Sequence, residues 1–120
     1  MKKNQIKDSS IELSLFSIQL FKQMNLQKEF ILSKQLLRCS TGIGANIHEA
    51  FAAESKKDFV HKLSISLKEA REAEYWIAII DQSKIVDLKT NDFRDSLNSV
   101  ISLLVSIIKT SKKNLNIPLY

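Results

Sequence analysis

Turn-forming residues are nearly absent from this chain: among 120 residues, only Pro118 is a proline and only Gly42 and Gly44 are glycines. A β-rich fold needs turn signals roughly every 8–12 residues, so this scarcity excludes one and leaves an all-α class. The single cysteine, Cys39, excludes a disulfide scaffold and fits a reducing, cytoplasmic setting. No uninterrupted apolar segment follows Met1-Lys2-Lys3, as a signal peptide would require, so secretion is not expected. The longest greasy run, Leu97 to Ile108, is broken by serines and falls short of the roughly 20 residues of a membrane helix. A core helix of a soluble protein, with no membrane partner, is the expectation.

With 44% hydrophobic and 26% charged residues, positions 1–120 read as one globular domain. The net charge of +5 is compatible with an acidic partner and equally with ordinary solubility. Hydrophobic periodicity predicts four helices, at about 9–25, 30–54, 56–82 and 91–113. Ser9 or Ser10 can cap the first, which carries two apolar stripes: Ile11, Leu15 and Ile18 on one, and Leu13, Phe16, Leu20 and Met24 on the other. The second keeps Leu32, Leu36, Cys39, Ile43, Ile47 and Ala50 on one seam. Ser55 to Asp58 resembles a capping box that opens the third helix, whose seam is Phe59, Leu63, Leu67, Ala70, Ile77 and Ile80. Lys68 and Glu72 can pair on its surface. Thr90 can cap the fourth, with Asp92 in its first turn and a heptad seam of Phe93, Leu97, Val100, Leu104 and Ile107. The β-branched run in the last helix lacks partner strands, so a strand there is rejected.

Short connections between four long helices give an antiparallel up-down-up-down four-helix bundle. Ile101, Val105 and Ile108, together with the second stripe of the first helix, exceed what one such core must bury, and self-association through these surfaces is expected. The alternative is a broad core with no oligomer. Adjacent Tyr75 and Trp76 diverge by about 100°, which lets one enter the core while the other reaches a subunit boundary.

Two glycines inside the second helix each cost about 1 kcal/mol against alanine, and close approach of a neighbouring backbone is the common compensation. A phosphate loop is excluded because position 47 is isoleucine and no strand precedes Gly42. His48-Glu49 begins like the helical zinc-protease motif, but the second histidine is replaced by Ala52. His48 and His61 have no cysteine pair, so no metal site is expected, and no cofactor. Cys39 sits on the seam as a small hydrophobe, and Glu69, Glu72 and Glu74 read as surface and inter-helix ion pairs. No catalytic residue emerges, and an enzyme is not expected. Asn46, an amide within an apolar helix, is expected to bond across the bundle to the third helix; left unpaired it would cost roughly 1–3 kcal/mol.

The segment Gln35-Leu36-Leu37-Arg38-Cys39-Ser40-Thr41-Gly42-Ile43-Gly44-Ala45-Asn46-Ile47-His48-Glu49-Ala50 resembles the signature of a family of small four-helix-bundle proteins. They are encoded within intervening sequences of bacterial large-subunit ribosomal RNA genes. Ser55 to Phe59 and Lys68 to Trp76 are similar to later blocks of that family. Gly42 replaces a usual serine, and His48 and Ala50 stand where alanine and glycine are frequent. The resemblance implies a homopentamer. It also implies relatives that include the accessory variability protein of diversity-generating retroelements, which works with nucleic acid and a reverse transcriptase. It supplies no catalytic residues.

In the expected bundle, the start of helix 1, the helix 2–3 turn and the end of helix 4 share a pole. This collects Lys2, Lys3, Lys7, Lys56, Lys57, Lys109, Lys112 and Lys113, with Asp8, Glu12, Glu54 and Asp58 nearby. An oligomeric bundle binding RNA or DNA by charge is the leading expectation. The competing readings are lysines that only cap helix ends and solvate tails, and an adaptor that engages another protein through its apolar surfaces.

Overall fold

The computed structural model describes residues 4–115, which form α1 (Gln5–Leu26), α2 (Leu32–Ala50), α3 (Lys56–Ser83) and α4 (Asn91–Asn114). Close backbone approach runs α1 to α2, α2 to α3, α3 to α4 and α4 to α1, with none across the diagonals. Each side is antiparallel. Ser33 meets Asn25 at one end of the α1–α2 pair while Gly44 faces Ser10 and Ser14 further along. Arg38 meets Glu72 and Glu49 meets Lys62 across α2–α3, and Asp81 meets Arg94 across α3–α4. The result is an up-down-up-down bundle.

The helix starts show which signals the chain uses. Asn4, not Ser9 or Ser10, caps α1: its Oδ1 accepts from the Lys7 amide at 3.3 Å. Ser10 is fully buried and donates to the Lys7 carbonyl at 2.7 Å instead. α2 starts two residues later than expected because the Glu29 carboxylate accepts from the amides of Ile31, Leu32 and Ser33 at 3.1, 3.1 and 2.7 Å. A carboxylate there satisfies unpaired N–H groups and complements the positive end of the helix. α2 also ends at Ala50 rather than Glu54. Phe51 turns to lie edge-on against Phe59, with ring centroids 5.2 Å apart, and Ser55 takes the extended conformation from which its hydroxyl accepts the Asp58 amide at 3.0 Å. Thr90 precedes α4 but makes no cap with its side chain; its hydroxyl donates to the Asp81 carboxylate.

The core is formed by Leu13, Leu20 and Met24 of α1, the predicted seam of α2 from Leu36 to Ala50, Leu63, Ala70, Ile77 and Ile80 of α3, and Phe93, Leu97, Val100 and Leu104 of α4. The expected assignment of the α1 stripes is reversed. The stripe containing Leu13 faces inward, while Ile11, Leu15 and Ile18 are 49%, 56% and 38% exposed. Buried Ser10 and Ser17 continue the inward face, and the small side chain of Ser10 admits Gly44 of α2. Periodicity alone could not choose between two apolar faces. Ile101 and Ile108, expected on an outer surface, are buried in the chain's own core at 8% exposure each, whereas Val105 is exposed. Only Val105 of those three α4 positions remains on the outside.

At one pole the loops are locked together: Gln27 Nε2 donates to the Asp87 carbonyl and the Asp87 amide donates to Gln27 Oε1, both at 2.7 Å. No helix among the described residues is long and apolar enough to cross a membrane.

Candidate functional site

The opposite pole carries the lysines. Lys7 lies near the start of α1 with its amine 6.0 Å from the centre of the Phe51 ring, which joins that end of α1 to the α2–α3 turn. Lys56 and Lys57 open α3 and are exposed. Lys109 and Lys112 line a groove of about 450 Å³ with Ser64, Leu67, Val105 and Ile108, so the end of α4 lies against the first half of α3. Lys112 and Lys113 also complement the negative C-terminal end of α4. Lys2 and Lys3 lie outside the described residues. Among the described residues, none of Lys7, Lys56, Lys57, Lys109, Lys112 and Lys113 has a carboxylate partner; the cations that do are Arg38, Lys62, Arg71 and Arg94.

The glycine segment is a packing device with an ionic rim. A methyl at Gly42 would lie 3.5 Å from the Glu69 carboxyl, and one at Gly44 would lie 3.4 Å from the hydroxyls of Ser10 and Ser14. The two glycines therefore face different neighbours, Gly42 toward α3 and Gly44 toward α1. Asn46 does not bond across the bundle; its Nδ2 donates to the Gly42 carbonyl of its own helix at 2.9 Å. The helix geometry places that carbonyl one turn back, within reach of the short amide. The cross-helix bond is made by Ser66, whose buried hydroxyl donates to the Ile43 carbonyl at 2.8 Å. A serine on the seam of α3 was the only sequence signal for it.

Arg38 organises the rim. Its Nη2 donates to Glu72 at 2.9 Å and its Nη1 to Glu69 at 3.4 Å, and Cys39 Sγ lies 3.3 Å from Nη2. Glu72 is thus engaged by α2 rather than by Lys68. Burial, ahead of the neighbouring charges, pushes the Cys39 thiol up to about 12, so the protonated thiol dominates at neutral pH. Cys39, Glu69 and Glu72 place potential metal-ligand atoms within 4.8 Å of one another. A dication there would have to displace the guanidinium and deprotonate a thiol that burial holds neutral, so the set fits an ion-pair network better than a metal centre. His48 Nε2 is buried without a hydrogen-bond partner among the described residues.

Tyr75 is exposed and Trp76 packs partly into the core, their rings edge-on at 5.1 Å. Tyr75 and Ile79 thus give α3 an exposed apolar strip, and Ile11, Leu15 and Ile18 give one to α1.

The chain matches the model of the 23S rRNA-intervening sequence protein family over residues 2–106. It belongs to that family. Its fold is similar to that of a crystal structure of a protein with unknown function from the S23 ribosomal protein family of Bacteroides thetaiotaomicron, with 42% identity and a TM-score of 0.82. The similarity covers 87% of this chain and 98% of that one. Among curated proteins none matches. The family match includes the glycine segment and the Arg38 rim, whereas Lys109, Lys112 and Lys113 fall beyond it.

Proposed function

We propose that this chain is a non-enzymatic homo-oligomer, a pentamer on the family resemblance, that binds RNA or DNA through its basic pole as an accessory factor. The observation that carries the reading is the set of six lysines gathered at one end of the bundle without a carboxylate partner among the described residues. Cations not engaged by the protein are available to phosphates, and such contacts act through charge rather than base readout. Support for assembly comes from the exposed apolar strips on α1 and α3. These are diagonal helices, so their outer faces differ, and contact between unlike faces generates rings when the rotation closes. A ring would repeat the pole and multiply weak phosphate contacts.

The test is titration of labelled RNA and DNA with the full chain at salt concentrations from about 50 to 200 mM, where phosphate binding weakens steeply. Alanine at Lys109, Lys112 and Lys113 is expected to flatten that dependence. Binding indifferent to salt, or to the triple substitution, contradicts the pole as the interface. A pull-down that survives nuclease favours a protein partner on the α1 strip, and a monomer at micromolar concentration in light scattering removes the assembly.

A further inference from the structure

The pole opposite the lysine-rich end gathers the α1–α2 and α3–α4 loops, which the paired hydrogen bonds of Gln27 and Asp87 clamp to each other. Exposed apolar side chains lie in and beside both loops. Leu26 is 84% and Ile31 74% exposed, and Phe30 and Ile85 are 51% and 55% exposed. Burial was open to their neighbours: Leu32, Val86 and Leu88 pack against the core. A single exposed leucine is ordinary, whereas four large apolar side chains gathered at one end of a bundle mark an interaction surface.

The charge at this pole selects the partner. Lys28, Lys34, Lys84 and Lys89 are exposed there, and none has a carboxylate partner among the described residues. Two of the acids are already engaged. Glu29 is buried with its carboxylate on the α2 amides, and Asp81 holds Thr90 and Arg94, which leaves Asp87 and Asp92 exposed. Apolar tips set among lysines match a layer that is anionic at its surface and apolar just beneath it. A nucleic acid offers the phosphates without the apolar layer. The sequence expectation of no membrane partner rested on the lack of a spanning helix, and a surface contact needs none.

We infer that this pole docks on the surface of an anionic phospholipid bilayer, with Leu26, Phe30, Ile31 and Ile85 entering the boundary between headgroups and acyl chains and the four lysines on lipid phosphates. The surface lies at the far end of the bundle from the proposed nucleic-acid pole and does not depend on it.

Flotation of the nucleic-acid-free full chain with vesicles tests it, one set of phosphatidylcholine alone and one with about a third phosphatidylglycerol. Partition onto the anionic vesicles, falling as salt rises and weak on the neutral ones, is expected. Leu26→Ser with Ile31→Ser should weaken it about tenfold or more, and Lys28→Gln about fivefold. Lys62→Gln, on α3 away from this pole, should leave it unchanged. The substituted side chains are exposed, and thermal melting checks that each variant is folded; Ile31→Ser alone serves if the double variant is not. Absence of partition, equal partition onto neutral vesicles, or indifference to the Leu26 and Ile31 substitutions overturns the proposal. It is overturned as well if alanine at Lys109, Lys112 and Lys113 abolishes partition while Lys28→Gln leaves it intact, since the charge would then lie at the other pole.

Discussion

The Arg38 guanidinium on α2 donates to the Glu72 carboxylate on α3 at 2.9 Å, tying the signature segment to the next helix. That hydrogen bond, ahead of every other influence, holds the Glu72 carboxyl below its ordinary value of 4.5. A carboxyl depressed in the folded state contributes stability above its unfolded value and loses it as pH falls through the folded one. Both side chains are about half exposed, so the contribution is on the order of 1 kcal/mol or less. Arg38→Met should lower the urea midpoint at neutral pH, and the gap from wild type should narrow as pH drops below 4.5. A gap constant with pH would mean that the arginine acts through its packing.

Cys39 carries the opposite sign. Its thiol is raised from 9.0 to about 12, chiefly by burial, so its stabilising contribution is complete below pH 9 and is lost as pH rises toward 12. Cys39→Ala should cost about 1 kcal/mol at neutral pH through lost packing, and its deficit should shrink in the alkaline range. Alkylation of Cys39 by iodoacetamide in the wild type should proceed only as fast as the core opens, because the thiolate is the reactive form.

The two glycines separate by what they face. At Gly42 an added methyl meets the Glu69 side chain at ordinary contact distance, so Gly42→Ala should stabilise by up to about 1 kcal/mol through helix propensity. At Gly44 the methyl meets Ser10 and Ser14 at 3.4 Å, which leaves alanine near neutral, while leucine should cost about 1–3 kcal/mol by overpacking. Thermal melts of the three variants check this order, and a Gly44→Leu protein as stable as wild type would show that α1 and α2 do not meet there.

Asp81 is the anchor of the α3–α4 connection. It accepts the Thr90 hydroxyl at 3.0 and 3.1 Å and Arg94 Nε at 2.6 Å, with a second bond from Arg94 Nη2. Asp81→Ala removes both partners' acceptor and should cost about 1–3 kcal/mol. Asp81→Asn should recover part of that by keeping one oxygen for Thr90. Faster amide exchange across residues 84–90 in the alanine variant is the accompanying signature.

The bundle was legible because its seams are long and regular: Leu36 to Ala50 and Phe93 to Leu104 hold their spacing over several turns and are buried as the period requires. α1 was ambiguous because apolar residues occupy both faces, and only the placement of Ser10 against Gly44 of α2 and the burial of Ser17 tell which turns inward. Caps escape a sequence pattern where the side chain has a competing partner, as Thr90 has in Asp81, or where a glutamate, Glu29, does the work usually given to shorter residues. The lysine pole followed from topology alone. The Ser66 bond to the Ile43 carbonyl did not, because the two residues lie 23 apart in sequence and meet only when α2 and α3 pack.

Lys84 ends α3 in the left-handed conformation, with φ of 53° and ψ of 30°. Helices commonly place glycine at such a position, since a Cβ there is disfavoured, and this chain keeps both of its glycines inside α2 instead. Lys28, after α1, repeats the pattern with φ of 65°. Lys84→Gly should therefore raise stability by about 0.5–1 kcal/mol, relief of the left-handed strain outweighing the extra freedom glycine gives the unfolded chain. Lys84→Ala keeps the Cβ and should not gain. A melting temperature that rises equally for alanine and glycine would place the effect in lost charge repulsion rather than in the backbone.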